Sequence, residues 1–244
     1  MPRILSLQNQ FHSDIIKAIL QTHRILWMDV EMRKNDLVPA MIGYVPFGSM
    51  IGQVQHVLCD ASFERVARMK KLDHQPWLQF VQSVIVPVIQ QKGVIAAYSR
   101  HELKLIEEAL HALDLSHMLD ELIYFDCNAS DCFQLNFPDE YFQIRRAVAR
   151  RVRRGLISQF RRMGLKDFLM SDSSAYDYPK YLRDFSPAEA LAYIRPQAAE
   201  RLPRRWTKVA KRKLATLLTY NMHDVLGMRY LTFELMGMPV VSKN

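Results

Sequence analysis

Eight residues, Ile25-Leu26-Trp27-Met28-Asp29-Val30-Glu31-Met32, constrain the fold more than any other part of this chain. Alternate residues of a strand share a face. Ile25, Trp27, Asp29 and Glu31 therefore line one side, and Leu26, Met28, Val30 and Met32 the other. Both sides begin apolar, the pattern of a central strand covered on two faces. Two carboxylates at the end of such a strand repel each other and resist desolvation. A metal cation is the simplest partner for the pair, so further oxygen ligands are to be sought elsewhere in the chain.

The flanking sequence reads as an α/β plan. Residues 1–24 form a helical lead-in, with Ser13 or Asp14 as the cap of a short helix through His23. After a turn at Asn35-Asp36, Ala40 to Phe47 is a second strand. Met50-Ile51-Gly52 belongs to the next turn, and Gln53 to Leu58 is a third strand, so the first three form an antiparallel meander. Residues 62–92 carry helical periodicity, with Pro76 suited to a helix start and Pro87 to a kink or break. Val94 to Tyr98 is apolar except for its last residue and follows this helical crossover, which makes it parallel to the first strand. A helix from about His101 to Leu113 leads to a fifth strand, Leu122 to Cys127. Residues 140–206 hold a basic helix and an irregular insertion, with a short helix at Ser186-Pro187. A long helix from about Thr207 to Gly237 closes the chain. The expected architecture is one α/β domain over residues 1–244, a mixed five-stranded sheet flanked by helices. Its first and fourth strands are central and open on one crevice at their C-terminal ends.

Other carboxylates converge on that crevice. Glu102 lies just past the fourth strand, in Tyr98-Ser99-Arg100-His101-Glu102. In the last helix, Tyr220 and Asp224 are four residues apart and share a face. Gly227, seven residues on from Tyr220, allows close packing. Each signal alone has a plainer account. Asp-x-Glu occurs in exposed strands, Glu102 suits the first turn of any helix, and a tyrosine and an acid on a helix commonly face solvent. The order and placement of all three together carry the argument.

In that combination the chain resembles the DEDD-type 3′–5′ exonucleases, in their tyrosine-bearing branch. Asp29-x-Glu31 matches the first motif, Glu102 the second, and Tyr220-x3-Asp224 the third. The resemblance spans Ile25 to about Leu231. The second motif ends in glutamate rather than aspartate, a form similar to that of a predicted-nuclease branch. The resemblance implies a ribonuclease H-like fold and two divalent ions, Mg²⁺ or Mn²⁺, held by Asp29, Glu31, Glu102 and Asp224. Asp29 would be shared between the ions, and Tyr220 would orient or deprotonate the attacking water. Phosphodiester cleavage suits such a site, because charge develops on both the attacking and the leaving oxygen. Hard divalent ions prefer carboxylate oxygens.

The chain has a net charge of +8, which suggests an anionic partner, with DNA or RNA first, the plainer account being a basic surface of no particular function. Arg204, Arg205, Lys208, Lys211 and Arg212 precede Tyr220 and are the candidate nucleic-acid contacts. A second basic group, Arg145, Arg146, Arg150, Arg151, Arg153, Arg154, Arg161 and Arg162, reads as a solvated face. Trp206, Tyr176, Tyr178 and Tyr181 are candidates for base stacking or for packing. Asp126 is read as structural, and His101 and His223 as exposed and non-catalytic. Three cysteines, Cys59, Cys127 and Cys132, give no disulfide framework or zinc spacing. No stretch approaches the ~18 apolar residues of a membrane span. The expectation is a cytoplasmic, metal-dependent exonuclease. An endonuclease on the same fold and a non-catalytic nucleic-acid-binding or adaptor domain are the alternatives.

Overall fold

Ile25–Glu31 is the middle strand of a seven-stranded mixed sheet. The structure, a computed structural model, describes residues 1–7, 12–33, 36–49, 53–128, 138–153, 165–171 and 174–239. Asn35, the turn at Met50-Ile51-Gly52, Cys132, and Arg154, Arg161 and Arg162 lie outside them. In chain order the elements are β1 (Arg3–Ser6), α1 (Ser13–Thr22), β2 (Ile25–Glu31), β3 (Met41–Val45), β4 (Gln55–Leu58), α2 (Glu64–Lys70), β5 (Asp73–His74), α3 (Trp77–Phe80), α4 (Val86–Gln90), β6 (Val94–Ala97), α5 (Arg100–Ala112), β7 (Ile123–Asp126), α6 (Pro138–Arg153), α7 (Leu165–Leu169), α8 (Pro187–Glu200) and α9 (Lys208–Leu235).

The sheet order is β1-β7-β6-β2-β3-β4-β5. The meander β2-β3-β4 is antiparallel, and β6 lies parallel to β2, as the sequence implies. The sheet has seven strands rather than five, because a short edge strand is added at each side. Residues 1–24 are therefore not a purely helical lead-in: Arg3–Ser6 pairs in parallel with Ile123–Asp126. The two-residue β5 pairs with β4 at the other edge. Neither Ser13 nor Asp14 caps α1. His12 occupies that position, and its side chain makes no capping hydrogen bond to the first turn.

Both faces of β2 are covered. Ile25 and Trp27 pack with α1, α7 and the C-terminal half of α9. Leu26, Met28 and Val30 pack with α3, α4 and α5 on the other side. A third apolar cluster joins α2, α8 and the N-terminal half of α9 around Met41 and Leu58. Pro87 does not break its helix. The π turn Val81–Ile85 between α3 and α4 widens the spiral just ahead of it, where the proline ring and missing N–H would otherwise disrupt a tight ladder. The described residues between 165 and 206 hold more regular structure than expected. Ser186 caps the 14-residue α8, and Trp206 is buried in the third cluster instead of being free to stack on a base. Among the described residues no helix is long and apolar enough to cross a membrane.

Candidate metal centre

β2 outruns its parallel neighbour. Its pairing with β6 ends at Trp27–Ala96, while the strand continues to Glu31. Asp29 and Glu31 thus stand at the strand's C-terminal end, on the face that α9 covers. Asp224 comes down from α9 onto the same spot. One carboxylate oxygen from each of Asp29, Glu31 and Asp224 lies within 4.8 Å of the others. Glu31 is buried and its Oε1 has no hydrogen-bond partner among the described residues.

Asn221 ties the helix to the strand. Its Nδ2 donates to Asp29 Oδ2 at 2.6 Å and to the Asp29 carbonyl at 3.3 Å. The side chain is completely buried, and its Oδ1 is also unpartnered. Room for it comes from Gly43, the residue opposite Asp29 on β3. A Cβ at position 43 would lie 1.7 Å from Asn221 Oδ1. Gly227 has a similar use further along α9, where a Cβ would meet Leu169 of α7 at 2.2 Å.

Asp224 is held by two tyrosines. Tyr178 Oη donates to Asp224 Oδ1 at 2.9 Å, and Tyr220 bonds the same carboxylate. Tyr178 is buried, so it serves the acid and is not a free stacking surface. Tyr176 packs beside it and meets His223 Nδ1 at 3.0 Å, with Tyr230 completing the aromatic group. Lys166 of α7 places its ammonium 4.9 Å from the centre of the Tyr220 ring. Its charge bears on both Asp224 and Glu31.

Glu102 is close but differently engaged. Ser99 is the N-cap of α5 and accepts from the His101 N–H, while its hydroxyl donates to Glu102 Oε2 at 2.7 Å. The Ser99 N–H also bonds the Glu102 carboxylate. This is a reciprocal capping box, and Glu102 is not one of the three carboxylates that meet. It is buried and near enough for its charge to be felt at Asp29.

The electrostatics follow from this geometry. Burial pushes the Asp29 carboxyl well above its ordinary range, and the charges of Glu31, Asp224 and Glu102 push it further. Burial does the same to Glu31, reinforced by Asp224 and opposed by hydrogen bonds from Asp29 and Asn221. Asp224 rises to about 6 through burial, held back by Tyr178, Tyr220 and Lys166. Burial and the surrounding acids raise the Tyr220 hydroxyl, which keeps its proton and donates. Burial lowers His223.

The donor set suits a hard divalent cation. It is all oxygen, it is anionic, and it includes a buried carboxylate oxygen with nothing else to satisfy it. Zinc would call for nitrogen or sulfur ligands, and the group contains neither.

The other expected residues fall elsewhere. Asp126 pairs with Arg100 at 3.1 Å and accepts from the Asn128 N–H, a structural role. His101 is exposed and contacts the Met32 sulfur. Arg204, Arg205, Lys208, Lys211 and Arg212 are exposed. At about 100° and 1.5 Å per residue, Lys208 and Arg212 project from the side of α9 facing away from the sheet. They lie roughly 18 and 12 Å along the axis from Tyr220, and Lys211 Nζ bonds the Arg204 carbonyl. Sequence reasoning missed Asn221, Gly43 and Lys166. Asn221 adjoins the Tyr-x3-Asp motif, and its helical phase beside Leu214, Leu217 and Val225 marks it as facing inward. Lys166 carries no such signal. Comparison of the chain with protein-family models, with curated proteins and with solved structures found no match.

Proposed function

We propose that this protein is a divalent-metal-dependent nuclease, a 3′–5′ exonuclease acting on DNA or RNA, with a ribonuclease H-like fold. The observation that carries the reading is the meeting of Asp29, Glu31 and Asp224 within 4.8 Å around an unsatisfied carboxylate oxygen. The mixed order of the central strands, β7-β6-β2-β3-β4 within the seven-stranded sheet, supports the fold part of this reading. The two described cysteines are free and buried, in keeping with the reducing cytoplasm to which we assign the protein.

Asp29, Glu31 and Asp224 would hold Mg²⁺ or Mn²⁺, with Glu102 at the rim. Bound there, two ions would supply charge stabilisation to the attacking and leaving oxygens of a phosphodiester. The chain's own groups do the positioning. Asn221 fixes one oxygen of Asp29. Tyr178 orients Asp224. Burial and the neighbouring acids favour a protonated Tyr220 in the metal-free protein, which supports a part in donating to Asp224 and orienting it. Lys166 brings a cation beside Tyr220, where its charge bears on Asp224 and Glu31.

The engagement of Glu102 by Ser99 favours one second reading, a metal-binding nucleic-acid adaptor without turnover. Purified protein and end-labelled single- and double-stranded DNA and RNA, with Mg²⁺, Mn²⁺ or chelator, separate the two. Stepwise loss of 3′ nucleotides that disappears in Asp29→Ala and Asp224→Ala supports the exonuclease. Internal cuts show an endonuclease instead. Binding without cleavage under either metal sinks the nuclease reading and leaves the adaptor.

A further inference from the structure

We propose that the exposed arginine face of α6 is the track on which a nucleic-acid backbone lies as it approaches the carboxylates. The inference rests on the reading above and adds to it a surface different from the one the sequence suggests. On α6, Phe142, Arg145, Arg146, Ala149, Arg150 and Arg153 are all exposed. At 100° per residue they fall within an arc of about 140°. Among the described residues no ion pair occupies any of these four arginines. From Arg145 to Arg153 the helix runs about 12 Å. Over that axial length one strand of a duplex presents about three to four phosphates, so the charge and the spacing match.

The position of α6 supports the assignment. It packs on α7, and its Tyr141 sits against the apolar cluster that contains Leu165, Phe168, Tyr178 and Tyr220. Lys166, on α7, then carries positive charge from that side to Asp224 and Glu31. The five cations from Arg204 to Arg212 have no such link, and two of them point away from the sheet. A bilayer is a poorer partner for α6. Membrane-surface helices set a broad apolar face into the lipid, whereas among the described residues the exposed face here offers one phenylalanine and one alanine.

The test measures binding of labelled single-stranded DNA, single-stranded RNA and duplex by fluorescence anisotropy, in chelator so that cleavage plays no part, over a range of KCl. The variants are the full chain with Arg145→Gln, Arg146→Gln, Arg150→Gln and Arg153→Gln together, the same four positions changed to Lys, and a five-site Gln control at 204, 205, 208, 211 and 212. The expected result for the helix Gln variant is at least a tenfold loss of affinity. Its slope of log K against log salt should fall by about two to three for a single strand, since each phosphate contact contributes roughly 0.7. The Lys version should keep most of the slope, and the five-site control most of the affinity. Binding unchanged in the helix variant, or lost only in the control, overturns the proposal. So does capture of phosphatidylserine vesicles with no binding to any polynucleotide. The nuclease reading is checked apart, on wild-type protein with bis(p-nitrophenyl) phosphate and Mn²⁺. If wild type hydrolyses neither this ester nor any polymer yet binds polynucleotide through α6, the nuclease reading fails and the track stands.

Discussion

Neutralising one acid of the centre is expected to stabilise the metal-free protein. Glu31→Gln is the clearest case, because glutamine keeps the shape of glutamate and brings an amide that can donate to Asp29. Two full charges within 4.8 Å of each other repel by roughly 3.5 kcal/mol or more at an effective dielectric constant of 20. The protein avoids part of this by retaining protons, which is why the carboxyls titrate high. The sign for linkage follows. A carboxyl raised in the folded state contributes stability that is fully present below its unfolded pKa and is lost as pH rises through the folded value. For Asp224 that window runs from 3.8 to about 6, worth about 3 kcal/mol. Asp29 and Glu31 shift in the same direction and add to the loss.

Removing one charge should recover about 2 kcal/mol of this at pH 8, or roughly 4–8 °C in Tm for a chain of this size. The assay is thermal unfolding by circular dichroism in chelator, at pH 8 and pH 4. At pH 4 the wild-type carboxyls hold their protons and the advantage should vanish. Saturating Mn²⁺ should reverse the order at pH 8, since a ligand at a hundred times its Kd adds about 2.7 kcal/mol to the protein that binds it. A Glu31→Gln protein that melts below wild type in chelator at pH 8, or gains as much at pH 4, refutes the argument from repulsion.

Gly43→Ala drives a methyl into Asn221 and should cost about 2 kcal/mol or more, while both Gly43→Ala and Asn221→Ala lower Mn²⁺ affinity by calorimetry. The double variant should be no less stable than Asn221→Ala alone, and additive losses would show that the two residues do not share one contact. Tyr178→Phe removes a hydrogen bond to a charged group and should cost about 1.5–3 kcal/mol at pH 8 and less at pH 4, read from denaturant midpoints. Tyr220→Phe should leave the Mn²⁺-induced rise in Tm in place and reduce hydrolysis about a hundredfold. Arg195 on α8 reaches Asp36 and Asp60, each at 2.7 Å, with little solvent around it. Arg195→Ala should therefore destabilise the protein by roughly 3 kcal/mol, and a urea midpoint within error of wild type would rule that out.

The sheet's centre was legible because its signals are local. Ile25–Glu31 and Val94–Ala97 are apolar on both faces, and a run of that kind has few other places to go. The edges were not. β1 is four residues long, and its partner lies some 120 positions away, so nothing near Arg3 announces a strand. Asp29, Glu31 and Asp224 were legible as a set through motif order. Glu102 shows how one spacing can serve two readings. Ser99-x-x-Glu102 satisfies a capping box as well as it satisfies a ligand motif, and the hydrogen bonds of α5 use it as the former. The basic residues before Tyr220 are close in sequence, but helical phase sets Lys208 and Arg212 on another side of α9 from the acids.

The centre depends on a contact between residues 192 positions apart, Asp29 and Asn221, made beside carboxylates that repel one another. Apolar packing on both sides of the polar segment supplies the force. Leu214 and Leu217 anchor α9 in one cluster, and Val225, Met228 and Leu231 anchor it in another. Tyr220, Asn221 and Asp224 lie between the two. Five buried aliphatic side chains at about 1.5–3 kcal/mol each outweigh one carboxylate repulsion of roughly 3.5 kcal/mol by a wide margin. The fold therefore holds the acids together without needing them, and this is why their neutralisation should strengthen the metal-free chain. Cutting the anchors should act in the opposite way. Leu217→Ala should lower stability by about 2–5 kcal/mol, to a similar extent at pH 4 and pH 8, because it removes the packing that opposes repulsion and leaves the charges themselves unchanged.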